Sequence, residues 1–491
     1  MRICSLLALL FLGTVANAQP NPEPKDGKVT IALTLSPTAL PKPLSRFYLT
    51  PQYKEIQPGN RVSGYMKAAM EQANFFSKDP SAKREKWNET ALGNLPLDEI
   101  KDSGCIGGSA YRKRDETVLD TTSRPLQWPS SGRPLSDVDE ASRMLSSDWQ
   151  IWFNLRRDGV GTLLPEVQKM REWGSVLKVR MRYEIATKDF EKAAYSARTY
   201  FGLVQSFESH PTLIAALVGL AIETICLDAL EEMIQQPGCP NLYWSFTEIP
   251  SEAIDLRTAI QGEKLLCETL FGVVLNAEGE MPDPELKRLL TRIDTFVFLN
   301  RNGEKELLKS SEVFRAWAQT EKKVARARAF LIGTGSRVNA VKKYSPLQAV
   351  VAADARQYEV DLDESMKIFD LPNPDAQKVA LAFDAALAKN SDIVLSAAIV
   401  PHTQKVRQAR VRLQQRVAYL RVIEAIRLYA FDNAGKLPAQ LKGIKSPIPM
   451  DPVTGEAFVY SVKEGVATLT GGNPNPETAT ANRVYEIRIR K

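Results

Sequence analysis

Two histidines, His210 and His402, are the whole imidazole complement of this chain, and each adjoins a proline where the pattern predicts a helix start. A zinc centre would need both of them with carboxylates completing the shell, and H-E-x-x-H is absent. Ser175-Val176-Leu177-Lys178 matches S-x-x-K, in which a lysine one helical turn on activates a serine, but the S-D-N and K-T-G companions of that chemistry are missing. Gly104-Cys105-Ile106-Gly107-Gly108-Ser109 sets a thiol among backbone amides able to form an anion nest, yet a nucleophilic cysteine needs a base within reach. In Gly333-Thr334-Gly335-Ser336, Val338 stands where a dinucleotide fingerprint has its third glycine, so the segment reads as a helix-terminating loop.

Asp361, Asp363, Glu364 and Asp370 are acids that calcium or a pair of glycosidase carboxyls would use, but EF-hand offsets are lacking and they read as a solvated helix face. Trp149, Trp152, Phe153, Trp173, Tyr243, Trp244, Phe246 and Trp317 would suit a carbohydrate or peptide groove, and their spacing equally fits a buried stripe. No constellation is complete. No catalytic, cofactor-binding or metal-ligating residue is assigned, no cofactor is implied, and the chain reads as non-enzymatic.

Helical periodicity predicts segments over 61–76, 139–157, 163–186, 190–208, 212–236 and 251–275, then 284–298, 305–330, 346–369, 374–388 and 403–431. The clearest pair meets at Ala186-Thr187-Lys188-Asp189-Phe190, where an acid-aromatic turn followed by alanines resembles a tetratricopeptide-type helix-turn-helix. No second copy follows at a fixed period. The last helix carries an apolar stripe from Val406 to Ala430, ends at Gly435, and precedes strand-like runs at 458–462, 466–470 and 485–489.

The fold expected is therefore mainly α: an irregular array of helical hairpins, tetratricopeptide-like in part, closed by a long C-terminal helix and a small three-stranded antiparallel sheet. Residues 1–18 read as a signal peptide, with Arg2, an apolar run from Ile3 to Val15 and an Ala16-Asn17-Ala18 cleavage site. A proline-rich extended arm follows over 19–58, in which Val29 to Leu35 alone looks strand-like. The hairpin domain covers 59–400, with an irregular insertion at about 101–138, and the helix-plus-sheet module covers 401–491.

Export places the chain in a periplasmic or extracellular setting, where Cys105, Cys226, Cys239 and Cys267 have the opportunity to pair. Their connectivity stays open, with Cys239 to Cys267 the preferred bridge. Thr212 to Leu230 approaches a membrane span in apolar content, but Glu223 and Asp228 interrupt it and a buried core helix is expected. The net charge is +6, and from Gln404 onward 15 Lys and Arg stand against 7 Asp and Glu. That local excess of +8 allows a weak contact with an anionic surface; nothing points to nucleic acid.

Arg427-Leu428-Tyr429-Ala430, Lys436-Leu437-Pro438, Asp451-Pro452-Val453-Thr454-Gly455 and Phe458-Val459-Tyr460 resemble the C-terminal module of a group of uncharacterised exported proteins of planctomycete-type bacteria. His210 to Ile214, Leu217 to Ala221 and Glu231 to Gly238 resemble that group's central helical hairpin. More loosely, a helix followed by Leu-Pro and Asp-Pro-x-x-Gly is similar to the globular part of type II secretion pseudopilins, although no pilin-type start is present. The resemblance implies export and architecture. The expected function is a non-catalytic scaffold binding another envelope or extracellular protein. The alternatives are a cell-envelope hydrolase using carboxylates on glycan or peptide, and a secretion or envelope-assembly component.

Overall fold

The computed structural model describes residues 28–70, 77–107, 133–159, 162–251, 254–300, 309–390, 393–474 and 482–490. The signal expected over 1–18, the start of the arm and residues 108–132 of the insertion expected at about 101–138 lie outside the described residues, while 133–138 is helical and not irregular. The protein is mainly α. After strands β1 (Val29–Leu35) and β2 (Gln57–Asn60) come α1 (Arg61–Met70), α2 (Lys78–Glu89), α3 (Leu97–Asp102), α4 (Arg133–Ala141), β3 (Met144–Ser146) and α5 (Trp152–Asp158). The central layer is α6 (Pro165–Ala186), α7 (Phe190–Gln205), α8 (Leu213–Ile234), the short α9 (Tyr243–Thr247) and α10 (Leu256–Leu275). There follow α11 (Asp283–Asn300), α12 (Ser310–Ala318), α13 (Glu321–Gly333), α14 (Val338–Val341), α15 (Pro346–Lys367), α16 (Asn373–Lys389) and the long α17 (Leu395–Asp432). Strands β4 (Val459–Lys463), β5 (Val466–Thr470) and β6 (Arg483–Ile489) complete the described fold.

Local chemistry sets these boundaries. At the α6–α7 turn Lys188 adopts a left-handed φ of 61°, Asp189 N–H reaches back to Glu184 O at 2.8 Å, and the Asp189 carboxylate caps α7 by accepting Lys192 N–H at 3.3 Å. Thr212 caps α8 through Ala215 N–H, and Ser345 with Pro346 opens α15. Gly435 takes the left-handed φ of 80° that ends α17.

Helix α8 packs against α6, α7, α10 and α17, so it sits at the centre of the larger hydrophobic core. By length and composition alone, with mean hydropathy 2.1, it could cross a membrane. Its charged side chains Glu223, Glu231 and Glu232 are buried inside the fold. Sheet residues Leu33, Leu35, Leu469, Tyr485 and Ile487 share this core with Leu420, Ile423 and Ile426 of α17. A second core gathers the end of α10, α11 to α15 and the start of α17 around Phe271, Phe314 and Tyr358.

Several expectations need correction. The sheet has four strands in the order β1-β6-β5-β4, and β1 lies parallel to β6 with Val29 opposite Arg483 and Leu35 opposite Ile489. The alternation of Val29–Leu35 turns Val29, Leu33 and Leu35 inward, which gives the strand its core face. The helix expected over 139–157 is interrupted: the chain leaves α4, pairs β3 with β2 and restarts at Trp152. The segment over 305–330 divides at Gln319-Thr320 into α12 and α13. Helix α17 begins at Leu395, so His402 lies inside it and is not at its start.

The preferred Cys239–Cys267 bridge does not form. All four cysteines among the described residues are buried free thiols: Cys267 donates to Tyr358 Oη at 3.2 Å in the second core, while Cys239 donates to Pro240 O at 3.4 Å in the first.

Candidate functional site

Burial of arginine dominates the electrostatics. Arg180 on α6 makes a fully buried ion pair with Asp139 on α4 at 2.8 Å, and its Nε donates to Ser196, which in turn donates to Glu184. Arg182 forks onto Glu232 of α8 at 2.7 and 3.0 Å and donates to Trp87 O and Thr90 O, satisfying carbonyls at the end of α2. Arg416 of α17 reaches Asp228 at 2.6 Å and Glu231 at 2.7 Å, both on α8. Arg427 pairs with Glu424 and donates to Ser36 O, Thr38 Oγ1, Pro240 O and Cys239 O. These cations hold elements together. Since Arg407, Arg410, Arg416 and Arg427 are all buried, much of the basic excess after Gln404 is unavailable to an external surface.

The residues singled out by spacing do not converge. His210 is buried, stacks edge-on against Trp149 at 4.6 Å and bonds Thr212 Oγ1 at 3.1 Å; burial pushes its pKa down to about 3. Ser175 accepts from Asn88 Nδ2 at 3.1 Å, while Lys178 lies near Asp228 and Glu232, so the two act apart. Cys105 is buried and its thiol pKa is raised by desolvation, with Gly107 O accepting from Arg180. Gly335, at φ 97°, ends α13 as expected.

Asp363 pairs with Lys264, Glu364 with Lys367, and Asp370 is exposed, but Asp361 departs from the solvated face: it is buried, accepting from Gln357 at 2.9 Å. Trp149 and Phe246 are core residues, whereas Trp152 and Phe153 face outward, because Trp149 precedes α5 and does not share its stripe. Among the described residues no three His, Cys, Asp or Glu side chains gather as a metal site.

A cavity of about 300 Å³ lies where α8, α9 and α17 meet the loop around Pro449 to Pro452. Its apolar wall comes from Leu220 of α8, Phe246 of α9, Ile249 and Ile254 behind it, and Leu413, Val417 and Ala418 of α17. Met450, 60% exposed, stands at its rim. The rim loop is fixed on one side by Tyr243 Oη donating to Pro447 O. On the other, the Asp451 carboxylate accepts Gln415 Nε2 at 3.0 Å, Val453 N–H at 3.0 Å and Gly472 N–H at 2.6 Å. The Asp-Pro-x-x-Gly motif is thus an anchored turn, closed by Gly455 N–H onto Asp451 O at 2.8 Å. Gln414, also lining the cavity, is held by Asn373 and Ser251, each at 2.8 Å.

Two lining groups, Glu223 and Arg421, stand apart from the pairing seen elsewhere among the described residues. Glu223 is 5% exposed and makes no hydrogen bond or ion pair with the described residues, and desolvation pushes its pKa up to about 7. Arg421 has a buried Nε–H with no acceptor among the described residues; an unmet buried donor costs about 1–3 kcal/mol. The sequence marked Glu223 only as an interruption of an apolar run, and Arg421 carried no signal beyond its charge. Of the described lining residues, Glu223 is the sole carboxylic acid.

A smaller cavity, about 140 Å³, lies between α12, α13 and α15 and contains Asp354. That carboxylate is already engaged as the cap of α17, accepting Val394 N–H at 2.9 Å and Leu395 N–H at 3.1 Å. No family model, curated protein or solved structure matches this chain.

Proposed function

We propose that this protein is an exported, non-catalytic helical scaffold that binds another envelope or extracellular protein at the cleft between α8, α9 and α17. The observation that carries the reading is the contrast between the buried charge pairs and this cavity. Arg180, Arg182, Arg416 and Arg427 are saturated by partners within the fold, whereas Arg421 Nε and the Glu223 carboxyl, set among apolar lining residues, have none among the described residues. Such an arrangement, a few polar groups set in an apolar concavity, suits recognition. Glycoside or peptide cleavage by carboxylates calls for two acids across one cleft, and a single carboxyl favours binding over the hydrolase alternative. In this reading α8 is a core helix and not a membrane span, and the signal at 1–18 delivers the chain across a membrane.

The test places a photocrosslinking residue at Met450 and compares wild type with Arg421→Glu in the native envelope fraction. One crosslinked protein recovered with wild type and lost with the variant is expected. Absence of any specific crosslink in both, with the fold intact by circular dichroism, would overturn the proposal.

A further inference from the structure

We propose that the α8–α9–α17 cavity recognises the carboxylate of an apolar-bodied monoacid; the inference rests on the binding reading above and names its ligand chemistry. The walls supply the body's environment: Leu220, Phe246, Ile254, Leu413 and Val417 are apolar and come from separate elements fixed by packing. A volume of about 300 Å³ admits a short alkyl chain or one to two apolar side chains. The head is selected by Arg421. A guanidinium presents a planar fork of donors that matches a carboxylate, and here its Nε–H is withdrawn from water without an acceptor from the described residues. Arg410, stacked 5.9 Å from the Phe369 ring, adds a second positive charge to the same lining and raises the local potential for an anion.

Glu223 narrows the choice further. Glu223 lines the cavity from α8, and burial keeps a substantial fraction of its carboxyl protonated at neutral pH, so it has an O–H to offer an incoming oxygen. A dianionic head would set a second negative charge against that group, which disfavours phosphate monoesters relative to carboxylates. Gln414 is held on both sides by Asn373 and Ser251, so the wall between these anchors is preorganised.

One carboxylate chemistry has two sources: a free acid, or the C-terminus of a polypeptide ending in an apolar residue. Calorimetric titration of the full chain with octanoate, octylamine, and an acetylated leucine-terminated pentapeptide in free-acid and amidated forms separates them. Binding of octanoate or the free-acid peptide, at least tenfold tighter than octylamine and the amide, is expected. Arg421→Gln should weaken it at least tenfold without lowering the melting temperature, while Glu223→Gln should abolish the proton uptake measured across buffers of different ionisation enthalpy. A bulky maleimide on Met450→Cys, at the exposed rim, should block entry in a protein whose core is untouched. Equal binding of octylamine, indifference to Arg421→Gln, or indifference to the Met450 block would overturn the proposal. Octanoate binding without peptide binding sustains the carboxylate site and removes the protein-partner reading; a crosslinked partner retained despite Arg421→Gln does the reverse.

Discussion

Arg427 and Glu424 lie one turn apart on α17 and form an ion pair of 3.0 Å in which neither side chain reaches solvent. The pair is a junction: Glu424 accepts Leu242 N–H at 2.6 Å, and Arg427 donates to Ser36 O at 2.8 Å, so the arm, the α8–α9 loop and the last helix meet at two side chains. Glu424→Gln leaves a buried guanidinium without its counter-charge and is expected to cost about 3–5 kcal/mol in urea denaturation. Arg427→Met with Glu424→Leu should recover part of that loss. A single-variant cost below 1 kcal/mol would contradict the junction's role.

Stability should depend on pH through Glu263, whose carboxyl accepts Leu213 N–H at 3.0 Å and which burial pushes up to about 7. Unfolded, such a group titrates near 4.3, so between those values the folded chain holds more protons. Its contribution is most favourable below about 4.3 and is lost as pH rises to about 7; Asp354 and Glu223 act in the same direction. His210 opposes them: held down to about 3, it contributes stability that is complete above about 6.5 and declines as pH falls. Glu263→Gln should flatten the difference in unfolding free energy between pH 5 and 7.5, by up to about 3 kcal/mol. An unchanged difference would refute the assignment.

Cys105, Cys226, Cys239 and Cys267 are buried, and desolvation raises every one of these thiols, Cys239 to about 12. Thiolate is the reactive form, so none of the four should react with Ellman's reagent in the native protein, and all should react in guanidinium. Rapid labelling of any one without denaturant would place it at a surface that the fold does not give it.

Gly262 on α10 faces the chain just before α8 so closely that an added Cβ would lie 1.8 Å from Pro211 O. Gly262→Ala must push α10 away from the α8 entry, and a loss of about 3 kcal/mol is expected from thermal or urea unfolding. Wild-type stability in this variant would mean that the two elements are less tightly apposed.

Much of the helical layout was legible because its cause is local. The turn at Ala186–Phe190 carries its cap and its left-handed residue within five positions, and α8 declares itself by apolar content. Helix α2 escaped, since Lys78–Glu89 is almost wholly polar and shows no stripe; it is held from outside by Arg182 donating to its terminal carbonyls. The parallel partner of β1 was invisible for a similar reason: alternation announces a strand and is silent about which distant strand receives it. At the cavity, Glu223 and Arg421 read as ordinary charges, because whether a charge is saturated depends on side chains brought in from other helices. Buried arginines were the largest blind spot, since composition treats a cation as surface.

The pairing of β1 with β6 joins opposite ends of the described chain. Strand β1 is made long before β6, so its hydrogen-bonding edge stays open and Leu33 and Leu35 stay uncovered until β6 is there to receive them. Closure of the sheet is therefore a late event, and a chain that lacked β6 would keep an exposed, adhesive strand edge.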